Sequence, residues 1–248
     1  MVCGTCAGAD KDGLCRRICK SLCPRQEPCD EERIWELSYQ ILMDCEAVGT
    51  KIEIAGLQHV RSLDRAPVVI GNHMSSLEAI AMLSILRPFM KSTYVIKEEL
   101  SRYPVIKHLT AEMQGITVGR NNPKEDLKKV LTDGAEKLAD GRAVIIFPQS
   151  TRAVTFAPDQ FNTLGLRLAR SAKAPVLPIA VKTDFWANGK VAKDFGRIDP
   201  TKQIHLEFGE PFETGNTKDD HQRVITFIQD RLATWKGSDE ATNRTKQP

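Results

Sequence analysis

The chain has no run of about 18 consecutive apolar residues, so no segment reads as a membrane-spanning helix. Residues 1–30 have no apolar core of the kind a secretory leader carries, and a signal peptide is not expected. No charge of one sign dominates. Lys and Arg total 35 against 32 Asp and Glu, a net of +3. That excess is too small to argue for nucleic acid as a partner, although an anionic membrane surface remains compatible with it. Cysteine is absent after Cys45, and six of the seven lie at Cys3, Cys6, Cys15, Cys19, Cys23 and Cys29. Cys3-x-x-Cys6 has the spacing of a metal knuckle, but no second knuckle follows it. Two readings of this extension stand. It is either a zinc or iron–sulfur module or a reduced segment whose thiols have no fixed role, since disulfides are disfavoured in a cytosolic setting. The expected address is the cytoplasm, at the cytoplasmic face of a membrane.

What is present is ordinary for a globular protein: 41% hydrophobic and 27% charged residues in a chain of 248. This suits one α/β domain with an extension. The expected organisation is a Cys-rich extension over 1–29, an amphipathic helix over 30–49, one domain over 50–236 and a polar tail over 237–248. In the helix, Ile34, Leu37, Ile41, Leu42, Cys45 and Val48 recur at three- and four-residue steps. Such a stripe packs on a domain or lies in a membrane interface. Beyond it, strands are expected over 51–55, 67–71, 93–97, 115–118, 143–147, 176–182 and 204–208. Helices are expected over 76–86, 123–139, 161–172 and 217–235. Gly56, Arg87-Pro88 and Asp140-Gly141 act as stops, and Pro123 opens a helix. Alternation of this kind predicts a largely parallel, helix-covered sheet, whose reacting groups gather where the strands end.

At one such end stands Val68-Val69-Ile70-Gly71-Asn72-His73-Met74-Ser75-Ser76-Leu77-Glu78. Histidine titrates nearest neutral pH, and a nearby carboxylate can fix its tautomer. The same residues also fit a plain capping box, Ser75 with Glu78. Helix positions five apart differ by about 140° and cannot meet. A working His73–Glu78 pair therefore requires His73 in the loop and Glu78 in the first helical turn, with Ser75 or Asn72 as the cap. Two further strand ends carry arginines. Gly115-Ile116-Thr117-Val118-Gly119-Arg120 is one, and Phe147-Pro148-Gln149-Ser150-Thr151-Arg152 is the other. Each can hold a phosphate or carboxylate, and each alone is equally an ordinary turn.

Taken in order, these segments resemble the glycerolipid acyltransferase family that includes 1-acylglycerol-3-phosphate acyltransferase. That family carries His-x4-Asp, Gly-x4-Arg, Phe-Pro-Glu-Gly-Thr-Arg and a Val-x-Pro strand. The corresponding positions are His73 and Glu78, Gly115 and Arg120, Phe147 to Arg152, and Val176 with Pro178. Lys97, Leu100 and Pro104 match a further Lys-x-x-Leu-x-x-x-Pro segment, although the glycine that often follows is missing. The likeness runs from about Lys51 to Glu210. It implies acyl transfer from acyl-CoA or acyl carrier protein to a lysophospholipid hydroxyl at a membrane surface, with no metal or other cofactor. His73 would be the base and Glu78 its orienting acid. Gly115, Arg120, Phe147, Pro148, Gln149, Ser150, Thr151 and Arg152 would form the substrate site, with Arg120 and Arg152 on the phosphate.

Three positions depart from the pattern. Glu78 stands for Asp, Gln149 for Glu and Ser150 for Gly. They motivate an alternative, an inactive lipid-binding or scaffold protein of the same fold.

Overall fold

A computed structural model of the chain describes residues 30–99, 111–119, 121–149, 151–189 and 196–245, with side chains as far as 238. The strands are β1 (Ile52–Ala55), β2 (Val68–Gly71), β3 (Ser92–Lys97), β4 (Ile116–Val118), β5 (Ala143–Ile146), β6 (Val176–Lys182) and β7 (Ile204–Phe208). The helices among the described residues are α1 (Glu31–Ala47), α2 (Leu57–Arg61), α3 (Leu77–Leu86), α4 (Pro123–Ala139), α5 (Leu164–Ala172) and α6 (Thr217–Thr245). The sheet runs β1-β7-β6-β2-β5-β3-β4. Every neighbouring pair is parallel except β6 with β7, so β1 and β7 oppose the other strands. The expected largely parallel, helix-covered α/β sheet is therefore found.

The central strands β2 and β5 are buried along their whole length, which is why they read as unbroken apolar runs. Their side chains alternate between two cores. Val69 and Ile145, with Ile179 of β6, face a layer containing Ile41 of α1 and Met82 of α3. Val68, Ile70, Val144 and Ile146 face Val130 of α4, Leu168 of α5 and Val224 of α6. Helix α1 spends its apolar stripe against α3. Ser38 bonds the Ile80 carbonyl, and the Ser84 amide donates to Ser38 Oγ at 3.3 Å. Its first turn is tied to the sheet through Glu31, which pairs with Lys91 at 2.7 Å and with Arg142.

Three expectations needed revision. The five-residue helix α2 was not foreseen, because with one buried side chain, Val60, it carries no periodic stripe. Helix α5 starts at Leu164 rather than 161, with a single 3-10 turn, Pro158–Gln160, ahead of it. The last helix runs ten residues past Trp235, through the polar stretch expected to be a tail. The cysteines from Cys3 to Cys29, with Leu100 and Pro104, lie outside the described residues. Cys45 is buried, and burial pushes its thiol up to about 12. No group of three or more His, Cys, Asp or Glu among the described residues could hold a metal ion.

Candidate active site

The ends of β2, β5 and β6 sit side by side at one edge of the sheet, and the site is built there. Gly71 closes β2 against Ile179. A Cβ at Gly71 would stand 2.5 Å from Ile179 Cγ2 and 2.9 Å from its carbonyl oxygen. The next residue, Asn72, substitutes its side chain for the backbone ladder. Its Nδ2 donates to the Val181 carbonyl at 2.8 Å, and its Oδ1 accepts from the Val181 amide at 2.9 Å. This lets the chain leave the strand and present His73. Neither Asn72 nor Ser75 occupies the N-cap of α3. That position belongs to Ser76, which makes no side-chain capping bond.

Glu78 lies in the first turn of α3, as the pair requires, and His73 lies in the loop before it. His73 Nδ1 meets Glu78 Oε1 at 2.7 Å. Glu78 also does the capping work of the alternative reading. Oε1 accepts from the Met74 and Ser75 amides at 2.7 and 2.9 Å. Oε2 accepts from Ser75 Oγ at 2.9 Å and from Thr183 Oγ1 at 2.5 Å. The side chain of Glu78 has no exposed surface, whereas that of His73 is 22% exposed. Burial would raise the Glu78 pKa, but the hydrogen bond and charge of His73, then Thr183 and backbone amides, outweigh it and hold the carboxyl below its usual range. The amides and hydroxyls around this carboxylate donate to it, so a proton placed on it would have no acceptor. The ionised acid therefore keeps a proton on His73 Nδ1, which leaves the Nε2 lone pair available as a base.

The second loop supports the first. Phe147 stacks on the His73 ring with centroids 4.5 Å apart and planes within 5°. The Gln149 side-chain oxygen accepts from the His73 amide at 2.6 Å, and the Ala153 amide donates to the His73 carbonyl at 2.9 Å. The Pro148 carbonyl accepts from Asn162 Nδ2 at 2.6 Å. Arg152 Nη1 bonds Ser76 Oγ beside the start of α3. Thr151 is exposed next to it.

Phe147, Gln149 and Arg152 are thus brought to His73. Gly115 is not. It precedes β4, so it lies at the opposite edge of the sheet, and Gly119 ends that strand at the His73 edge, two strands beyond β5. Arg120 and Ser150 lie outside the described residues. Sequence reasoning missed Asn72 as a ladder mimic. It also missed Thr183, and Asn188, whose Nδ2 donates to the Met74 carbonyl at 3.0 Å.

A protein-family model described as Acyltransferase matches residues 51–182, which hold both loops of the site and all of β6. The chain belongs to the acyltransferase family. This acyltransferase is 31% identical over 190 residues to a 1-acyl-sn-glycerol-3-phosphate acyltransferase of Pseudomonas aeruginosa, covering 75% of this chain and 68% of that one. It is 27% identical over 131 residues to the chloroplastic 1-acyl-sn-glycerol-3-phosphate acyltransferase LPAT1 of Arabidopsis thaliana, covering 53% of this chain and 36% of the relative. Among solved structures, its fold resembles the crystal structure of the 1-acyl-sn-glycerophosphate acyltransferase PlsC from Thermotoga maritima. The TM-score is 0.63 at 19% identity, over 89% of this chain and 87% of that one.

Proposed function

We propose that this acyltransferase moves a fatty acyl chain from a thioester, acyl-CoA or acyl carrier protein, to the free glycerol hydroxyl of 1-acylglycerol-3-phosphate in phospholipid synthesis. The observation that carries the reading is the His73–Glu78 pair, with a saturated, buried carboxylate on Nδ1 of an imidazole whose side chain is 22% exposed. In the reaction Nε2 takes the hydroxyl proton as the acceptor oxygen attacks the thioester carbonyl. Glu78 stabilises the imidazolium. The C–S bond then breaks, and the imidazolium returns its proton to the departing thiolate. No protein nucleophile is required. Arg120 and Arg152 would clamp the acceptor's phosphate. Because the acceptor is a lipid, the enzyme is proposed to work at a membrane surface on its cytoplasmic face. No helix among the described residues is long and apolar enough to cross a membrane.

Two replacements that motivated the inactive alternative are accommodated. Glu78 reaches His73, and Gln149 uses its oxygen on the His73 amide. A donor-by-acceptor activity matrix with wild type and His73→Ala in parallel tests the proposal. Transfer to 1-acylglycerol-3-phosphate that disappears in His73→Ala is expected. Binding without turnover over the whole panel would favour the scaffold reading, and wild-type rates in His73→Ala would end the mechanism.

A further inference from the structure

Thr183 matches none of the motifs read from the sequence, yet its hydroxyl makes a shorter contact with Glu78 than His73 does. It is fully buried at the end of β6, the strand beside β2. We infer that Thr183 is a positioning residue for acyl transfer, whose hydroxyl holds the Glu78 carboxylate aimed at His73. The inference rests on the reading of His73 as the base.

The proton count gives the hydroxyls a direction. Each carries one proton. The Leu77 amide donates to Ser75 Oγ at 3.1 Å. Ser75 Oγ gives its proton to Glu78 Oε2 at 2.9 Å, with Thr183 Oγ1 3.0 Å away. The Thr183 proton goes to Oε2. Both hydroxyl protons thus end on Oε2, and the Leu77 amide steadies Ser75 from the other side. Oε1 serves His73 and the Met74 amide, while Oε2 serves Thr183 and Ser75. Gripping both oxygens fixes the carboxylate plane, and that plane sets the direction of the Nδ1–H bond. Glu78 has one more methylene than aspartate to immobilise, so a grip on its far oxygen matters more here.

Removing the Thr183 hydroxyl has a consequence beyond stability. The carboxylate loses a charge-assisted donor in a dry site, and more of its negative charge is left to favour the imidazolium. His73 should then hold its proton to higher pH, and the acid limb of kcat/KM should move up.

The test compares wild type, Thr183→Val, Thr183→Ser and His73→Ala as full-length proteins on 1-acylglycerol-3-phosphate, over a pH series. Loss of one hydrogen bond to a charged group predicts a kcat about 10- to 100-fold lower in Thr183→Val, with the acceptor KM little changed and the acid limb displaced to higher pH. Thr183→Ser, which keeps the hydroxyl, should restore most of kcat and the wild-type limb. Should Thr183→Val not fold, Thr183→Ala against Thr183→Ser carries the same comparison. Wild-type kcat and pH profile in the hydroxyl-free variant would overturn the inference, as would equal losses in the valine and serine variants. If His73→Ala keeps its activity, the base reading fails first. If His73→Ala is dead while Thr183→Val is fully active, this inference alone fails.

Discussion

Among the described residues there are two histidine–carboxylate pairs, and they are built in opposite senses. In His73–Glu78 the acid is sealed and the base is open, with side-chain exposures of 0% and 22%. In His205–Glu53 the histidine is 3% exposed and the glutamate 44%. The second pair joins neighbouring positions on β7 and β1, with Nδ1 and Oε2 3.0 Å apart. There Glu53 divides itself between His205 and Lys51, and the His205 ring stacks on Trp235 with centroids 5.1 Å apart. A carboxylate in water orients nothing, and an imidazole enclosed in the core reaches no substrate. A pair that works as a base needs the opposite burial: an acid held by fixed donors out of solvent and a ring nitrogen that a substrate can approach.

Mutations can break this contrast, the largest effect first. His73→Ala should lower kcat by about 10²–10⁴-fold, measured on the lysophosphatidate acceptor. Glu78→Gln should cost on the order of 10³-fold, because the amide nitrogen would oppose a cluster of donors and the Nδ1–H tautomer would lose its anchor.

His205→Ala should do the reverse. It should leave kcat within about twofold while destabilising the fold by roughly 2–3 kcal/mol, read by denaturant melts, through loss of a buried ring against Trp235. His205→Phe sharpens the point. A flat ring against Trp235 is kept and a contact with a half-exposed carboxylate is lost, worth at most about 1 kcal/mol, whereas His73→Phe should be inactive.

Smaller effects probe what holds His73 in place. Gln149→Glu retains a side-chain oxygen for the His73 amide and should stay active. Gln149→Met removes it, and the misplaced loop should cost on the order of 10-fold in kcat.

The pH dependence of stability is the smallest signal. The Glu78 carboxyl is held below its usual value of 4.5, so its contribution is complete above about 4.5 and is lost as pH falls through the lower folded value. The Tm gap between wild type and Glu78→Gln should be constant near neutrality and close in acid. A gap that widens below pH 4 would contradict the sealed, ionised acid.

Much of this was legible in the chain itself. Continuous apolar runs at Val68–Ile70 and Ala143–Ile146 marked central strands, because only a strand covered on both faces is apolar throughout. Loops at their ends marked the edge that carries the candidate site, and the five-residue spacing of His73 and Glu78 required a loop and a first turn, which is where they lie. The roles inside that edge were harder to read. Gln149 looked only like a departure from the family's glutamate, yet its oxygen bonds an amide 76 residues away. Asn72 and Ser75 looked like caps, because local spacing cannot reveal that Val181 and Thr183 stand alongside.

The sequence by itself determined the alternating elements, the parallel sheet, the two loops and the family, since all of these follow from periodicity, turn chemistry and motif order within short windows. Only the tertiary structure decided which histidine–carboxylate pair is sealed on the acid side, and that Thr183, 105 residues from Glu78, supplies a donor. Burial and hydrogen-bond direction depend on what the neighbouring strands bring. The strand order β6-β2-β5, which sets those neighbours, is not written in any local stretch of the chain.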